Sequence, residues 1–408
     1  MSSGRRRNRR KKMKILEVSR YKKEYSDNTL PFVLEQGESL RAAGCEVEYF
    51  LVRGNYITAV KALKAKIREF KPDVVHAHYG LSAITAELQS LVPVVTTFHN
   101  GETHRWWVNL LSSLFTLRAK HVIYVAEHIH QMVYFKAPNY SIIPCGVTME
   151  DCFLMDKAEA RKKLSWDADK KYIMFGGAFS NTRKNYKLLR SAIEELYNQK
   201  NYKKNTESLS DTDSISTVLT PQSTHKQASG LLDDSLRYTD IDAQYPSNDS
   251  EKNTKNIYST ANTLKWIPVE GGEQYGDIVC IEMKGLSRAE CVLRMCACDL
   301  FALPSHSEGS PQALKEAMAC NCPCLATDIA DVRYLFGEDP GHWILRNPRK
   351  THDRWDGDEN SLNDMVRLLK EALAFEGRTK GRQRILELEL SNEQIAKRII
   401  RIYEDIIK

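Results

Sequence analysis

Apolar positions along this chain follow two rhythms that take turns. Runs at 14–19, 45–51, 121–125 and 141–143 read as strands, and the short β-branched runs at 74–77 and 93–98 as buried strands, because a strand covered on both faces loses the in-and-out alternation. Between them, 29–43, 59–70 and 81–91 carry apolar residues at helical spacing. Gly44 suits a C-cap for the first of these, and Lys71-Pro72 ends the second. This strand–helix rhythm predicts an α/β, doubly wound parallel sheet. The rhythm breaks at Ile143-Pro144-Cys145-Gly146-Val147 and restarts with a strand at 171–175, Gly176-Gly177 and a helix at 186–199. Strands at 278–283, 300–303 and 324–326 continue it, and Ser287 with Glu290 forms a capping box for a helix through Cys296. The stripe Ile395, Ile399, Ile400, Tyr403 and Ile407 predicts a closing amphipathic helix. The expected organisation is a basic arm (1–12), two sheet domains (13–147 and 148–390) and a terminal helix (391–408). Residues 201–262 are polar, lack either periodicity and read as a disordered insertion in the second domain.

Composition adds limits. A chain of 408 residues with 42% hydrophobic content suffices for two cores. No apolar run reaches the roughly 18 residues of a transmembrane helix, so none is expected. The arm MSSGRRRNRRKK is basic with no apolar stretch behind it, and Met13 reads as a second start. Nucleic-acid binding is the sharper reading of such an arm, but nothing downstream supports it, and no nucleic-acid partner is expected. Ten cysteines without a secretory signal predict reduced thiols and a cytoplasmic protein. Their C-x-C spacings differ from zinc-site pairs, so they read as small core hydrophobes. A net charge of +6 permits attraction to an anionic surface. Trp106, Trp107, Leu110, Leu111, Leu114 and Phe115, flanked by Arg105, Arg118 and Lys120, fit either a peripheral contact with the inner membrane face or a buried helix.

The chemistry concentrates in 302–327, a strand, a polar loop, a helix and a second strand. Ser310 suits the N-cap and Pro311 the first helical position, so a helix N-terminus faces the C-terminal edge of the sheet, where anions bind. The N–H groups of Gly309, Ser310 and Gln312 are candidates for phosphate oxygens. Glu308 and Glu316 bracket that anion site, and a carboxylate suits a diol because each hydroxyl donates to it. An anion site between two such acids predicts a sugar nucleotide. Lys184, just past Gly176-Gly177, is the candidate phosphate cation; with Arg183 and Lys187 beside it, a solvated basic face is the alternative. No Asp-x-Asp stands at a strand end, Asp211-Thr212-Asp213 falling in the insertion, so no metal and no cofactor besides the nucleotide-sugar substrate is expected. His99 ends a buried strand, with His76, His78 and His104 as competitors.

Glu308, Gly309, Pro311, Glu316, Ala317, Met318, Ala319, Pro323 and Thr327 together resemble the C-terminal signature of family 4 glycosyltransferases. Ile143 to Val147, Gly176 to Phe179, Lys184 to Tyr186 and Lys284 to Arg288 resemble further motifs of its bacterial members. The resemblance implies the GT-B fold: two Rossmann-like domains facing across a cleft, with the last helix crossing back to the first. It also implies metal-independent, retaining transfer of a hexose-type sugar from a UDP- or GDP-sugar to a glycan, glycolipid or polyprenyl-linked acceptor, as in polysaccharide, lipopolysaccharide or capsule biosynthesis. It assigns Glu308 to the donor sugar, Glu316 to the ribose, Lys184 to the diphosphate and His99 to the donor sugar; Gly177 and Arg183, the latter as a substitute for the missing family arginine, are further candidates for donor contact. Three places depart from the pattern: Ala178 where many relatives carry arginine, and residues 19–26 and Ala330-Asp331 where relatives carry paired glycines. A sugar-nucleotide epimerase on the same fold and a non-catalytic nucleotide-sugar-binding protein are the alternatives.

Overall fold

The computed structural model describes residues 12–23, 27–210, 267–347 and 359–408. In the first half, β1 (Lys14–Arg20), β2 (Glu46–Val52), β3 (Val74–His78), β4 (Val94–Phe98), β5 (His121–Tyr124) and β6 (Tyr140–Ile142) form one parallel sheet in the order β2-β1-β3-β4-β5-β6. Every residue of β3 and β4 is buried, which is why their sequences read as unbroken apolar or β-branched runs. The connecting helices are α1 (Pro31–Ala42), α2 (Ala59–Phe70), α3 (Gly80–Glu87), α4 (Trp106–Thr116) and α5 (Glu127–Met132). The order reverses beside β1 and β3, a switch point where ligands settle at the carboxyl ends of strands.

The second half contains α6 (Lys157–Lys163), β7 (Lys171–Phe175), α7 (Tyr186–Ser210), β8 (Ile267–Val269), β9 (Gly272–Tyr275), β10 (Ile278–Glu282), α8 (Arg288–Ala297) and β11 (Leu300–Leu303). There follow α9 (Gln312–Ala319), β12 (Cys324–Thr327), α10 (Val332–Phe336), β13 (His342–Leu345), α11 (Glu359–Ala374), α12 (Gly381–Glu387) and α13 (Asn392–Ile406). The sheet order is β13-β12-β11-β7-β10-β9-β8, parallel through β10 and antiparallel at β9 and β8. The two sheets, each with helices between its strands, make the fold GT-B. The capping box on α8 is present as expected.

α13 returns to the first sheet. Its Tyr403 is fully buried with its hydroxyl 2.5 Å from His76 Nδ1 of β3, and Arg398 donates to the Ile142 carbonyl at 3.0 Å. Of the predicted stripe, Ile395, Ile399 and Tyr403 are buried, but Ile407 is 43% exposed because the helix ends at Ile406. α7 also differs from expectation, running to Ser210 although the sequence of its last turns is polar and carries no apolar stripe to reveal a helix. The rest of the proposed insertion, the basic arm through Arg10 and Lys11, and Asp211-Thr212-Asp213 lie outside the described residues. All ten cysteines are free thiols, nine of them buried.

Candidate active site

The α9 entrance differs in detail from its sequence reading. Pro311 occupies the N-cap with extended backbone, and the helix starts at Gln312. Ser310 is not the cap: its hydroxyl donates to Asp331 Oδ2 at 2.6 Å and accepts from Lys315 Nζ at 3.1 Å. A charged acceptor and a charged donor outcompete a backbone amide for that oxygen. The first amides of α9 have no partner within the helix and face its entrance, an anion-binding arrangement. Lys315 is fully buried and also donates to the Cys145 carbonyl, while the Gln312 side chain donates to the Gly146 carbonyl. These two bonds tie α9 to the segment that links the halves. Ala330 adopts φ +52°, the left-handed conformation a glycine would take without strain.

Lys184 and Glu308 meet directly, Nζ donating to Oε1 at 2.6 Å with both side chains largely buried. A Cβ on Gly177 would fall 2.9 Å from Lys184 Cγ, so the glycine leaves room for the lysine to lie along the strand end. Arg183, in the 3-10 turn Thr182–Lys184, has an exposed side chain, and its carbonyl accepts from the His306 amide at 2.9 Å. On the far side of the loop, a Cβ on Gly309 would come within 2.6 Å of the His99 carbonyl, and Asn100 Nδ2 donates to Ser307 Oγ at 3.2 Å. The structure thus brings His99, Gly309, Glu308 and Lys184 to one place between the two sheets.

Glu316 stands one helical turn beyond Gln312 with a different partner. Arg288, at the start of α8, lies 3.1 Å from Glu316 Oε1 and also pairs with Glu35 of α1 and, at 3.5 Å, with Asp151. Burial pushes the Glu316 carboxyl up to about 7, with Arg288 pulling the other way and Glu35 adding to the rise. Arg288 was legible only as part of a motif, with no sign that it joins the two halves beside an acid. It places a cation beside Glu316.

His99 is held by its backbone and its ring. Its amide donates to the buried Glu102 carboxylate at 3.2 and 3.3 Å, which also accepts from Gly80 N at 2.9 Å; burial pushes Glu102 up to about 7. The ring packs against Phe32 and Tyr79, with centroids 4.5 and 5.0 Å away. Nε2 stands 3.1 Å from His78 Nδ1, and Nδ1 stands 3.8 Å from Cys145 Sγ. Burial, then the neighbouring His78, holds His99 well below the usual imidazole range. His76 and His78 are core residues of β3, and Asn100 holds His104 at 3.4 Å. An open depression lined by Pro93, Val94, Glu87 and Arg118 sits at the opposite, N-terminal end of β4 and uses none of these groups.

Comparison with known proteins agrees with the fold. Residues 41–151 match the model of Glycosyltransferase Family 4, and residues 281–354 match that of Glycosyl transferases group 1. A Bacillus subtilis (strain 168) protein described as a teichuronic acid biosynthesis glycosyltransferase is 50% identical over 42 residues, which is 10% of this chain and 11% of that protein. Among solved structures, sucrose-phosphate synthase from Thermosynechococcus elongatus superposes with TM-score 0.63 at 15% identity, covering 97% of this chain and 99% of that one. The Anabaena protein HepE in complex with UDP gives 0.58 at 13% identity, covering 96% and 100%. Its complex with UDP-glucose gives the same TM-score, 0.58, and the same coverage.

Proposed function

We propose that this chain, a glycosyltransferase of the GT-B fold, moves a hexose-type sugar with retention from a nucleoside-diphosphate sugar to a glycan, glycolipid or polyprenyl-linked acceptor. The observation that carries the donor is the α9 entrance, where helix amides lie between two acids that each hold a cation: Glu308 with Lys184 and Glu316 with Arg288. A diphosphate draws Lys184 away from Glu308, which frees that carboxylate for sugar hydroxyls, while Glu316 accepts from the ribose diol. His99 donates to the sugar from the other half. The binding of UDP and UDP-glucose by HepE supports a uridine donor. No metal enters this scheme, because Lys184 and the helix entrance supply the positive field. A thermal-shift screen of UDP-, GDP- and ADP-sugars should give one clear responder, since a ligand at 100 times its Kd stabilises the native state by about 2.7 kcal/mol. No response to any of them sinks the donor assignment, and turnover abolished by chelator and restored by divalent ions sinks the metal-free scheme.

A lipid-borne acceptor is favoured by the reversed polarity of α4. Its buried face is largely polar, with Asn109, Ser112, Ser113 and Thr116, whereas Trp106 is 68% exposed and Trp107, Leu111 and Leu114 also face outward. Asn109 joins this helix to the exposed Met132 and Tyr134, donating to the Met132 carbonyl at 2.9 Å and accepting from the Tyr134 amide at 3.3 Å. Exposed Arg118 and Lys120 close one end of the patch. Such a surface suits an anionic bilayer. Among the described residues no helix is long and apolar enough to cross one. The protein should sediment with phosphatidylglycerol vesicles but not with phosphatidylcholine vesicles, and Trp106→Ser with Leu114→Ser should abolish it. Equal binding to both vesicles, or an unaffected double variant, overturns the membrane contact.

A further inference from the structure

The depression at the N-terminal end of β4, opposite the active site, has a volume of about 590 Å³, within the range of small-molecule sites. The turn after α3 gives it a fixed wall. There Gln89 Oε1 accepts from the Leu91 and Val92 amides at 2.6 and 3.1 Å, and Nε2 donates to the Val92 carbonyl at 2.7 Å. Three charged side chains line the space without partners. Glu87 is only 6% exposed, yet among the described residues its carboxyl joins no ion pair and its Oε1 no hydrogen bond. Arg118 and Lys120 are exposed, and among the described residues neither cation pairs with an acid. The Lys120 amide donates to the Val94 carbonyl at 2.9 Å, which holds this segment beside the start of β4. The other acid of the wall, Asp73, is committed to the Lys14 amide at 2.8 Å.

Glu87 is costly where it stands. Burial pushes its carboxyl up to about 8, with Arg118 pulling the other way. It also ends α3, where the helix carbonyls disfavour negative charge. A buried acid without a partner, on the wall of a cavity, is satisfied by a group that enters the cavity. Ionised or not, a carboxyl accepts from a hydroxyl. The two unpaired cations on the same wall suit a phosphate, which arginine grips with paired N–H groups and lysine with a point charge. A bare anion would leave the acid unmet, and a neutral polyol would leave the cations unmet.

We propose that this cavity is a second binding site, for a phosphate ester that carries a free hydroxyl, with the phosphate on Arg118 and Lys120 and the hydroxyl on Glu87. The headgroup of phosphatidylglycerol and free glycerol phosphate share that chemistry. The exposed Leu91 and Ile407, which also line the space, favour the lipid. Only this choice of source rests on the membrane contact proposed above. Titration calorimetry of the full chain with monomeric dihexanoyl phosphatidylglycerol, glycerol phosphate and inorganic phosphate tests the site. The lipid should bind most tightly and saturate one site. Arg118→Gln with Lys120→Gln should weaken it about 10–100-fold, and Glu87→Leu about tenfold, with inorganic phosphate unaffected by the latter. Binding of UDP-glucose should not change in either variant. No saturable binding overturns the proposal, as does inorganic phosphate binding as tightly as both esters, or affinities that neither variant moves. Glycerol phosphate matching the lipid supports the site and makes a free polyol phosphate its source. If Glu87→Leu does not fold, the variant of the two exposed cations decides. A wild type that binds the short-chain lipid but does not sediment with vesicles counts against the α4 contact and leaves the site standing.

Discussion

Lys184→Met should lower turnover of the sugar donor by about 10²–10³-fold, the usual loss when one preorganised donor to a developing negative charge is removed. The magnitude follows from how few cations remain for the leaving diphosphate. Lys315 is fully buried and spent on the Cys145 carbonyl and Ser310. Arg288 is shared between Glu35, Asp151 and Glu316. Arg183 points into solvent. In the proposed scheme Lys184, 2.6 Å from Glu308, is the cation that meets the leaving phosphate. The same substitution strands the Glu308 carboxylate, whose side chain is 10% exposed, so the variant should also melt earlier. Adding Glu308→Gln removes the stranded charge. The double variant should therefore regain stability without regaining activity, and the two kinetic losses should not multiply, because the residues act as one unit. Steady-state kinetics with calorimetric melting of the four proteins separates these effects. A single-variant loss below about fivefold removes Lys184 from the diphosphate.

Some buried elements left a pattern readable in the sequence, although the stripe Met365, Leu369 and Ala372 of α11 was not read. β3 and β4 are buried throughout and appeared as β-branched runs, and the capping box of α8 needed only local chemistry. The helix at Tyr186 was readable only as far as its stripe, and the β8–β9 hairpin left no strand signal beside the polar stretch. Both signature acids were visible for the same local reason. Their partners were not, because Arg288 meets Glu316 and Glu35 only after three elements pack, and the contact of His78 with His99 joins the ends of β3 and β4. Ser310 shows the opposite failure, a good N-cap residue diverted by Asp331 and Lys315, neither of which the helix-start rule considers.

Glu316→Ala should weaken donor binding about 10–100-fold with a smaller effect on kcat, whereas Glu308→Ala should act mainly on turnover. A hydrogen bond to a charged group is worth about 1.5–3 kcal/mol, and Glu316 meets the nucleotide rather than the reacting sugar in the proposed scheme. The stronger test is pH. Burial places the Glu316 carboxyl at about 7, so in the donor-free protein it is largely protonated at pH 6 and largely ionised at pH 8. A diol donates both hydrogens only to the ionised form, so UDP binding should weaken as pH falls below about 7, approaching tenfold per unit. The sign for stability is opposite. A carboxyl whose pKa is raised from 4.5 to about 7 on folding binds more protons in the native state between those values, so its contribution to stability declines as pH rises through that window. Affinity and stability should thus move in opposite directions between pH 5 and 7, and Glu316→Gln should flatten both trends. Parallel trends in the wild type, or a Gln variant with the same pH dependence, would assign the titration to another group and take Glu316 off the ribose.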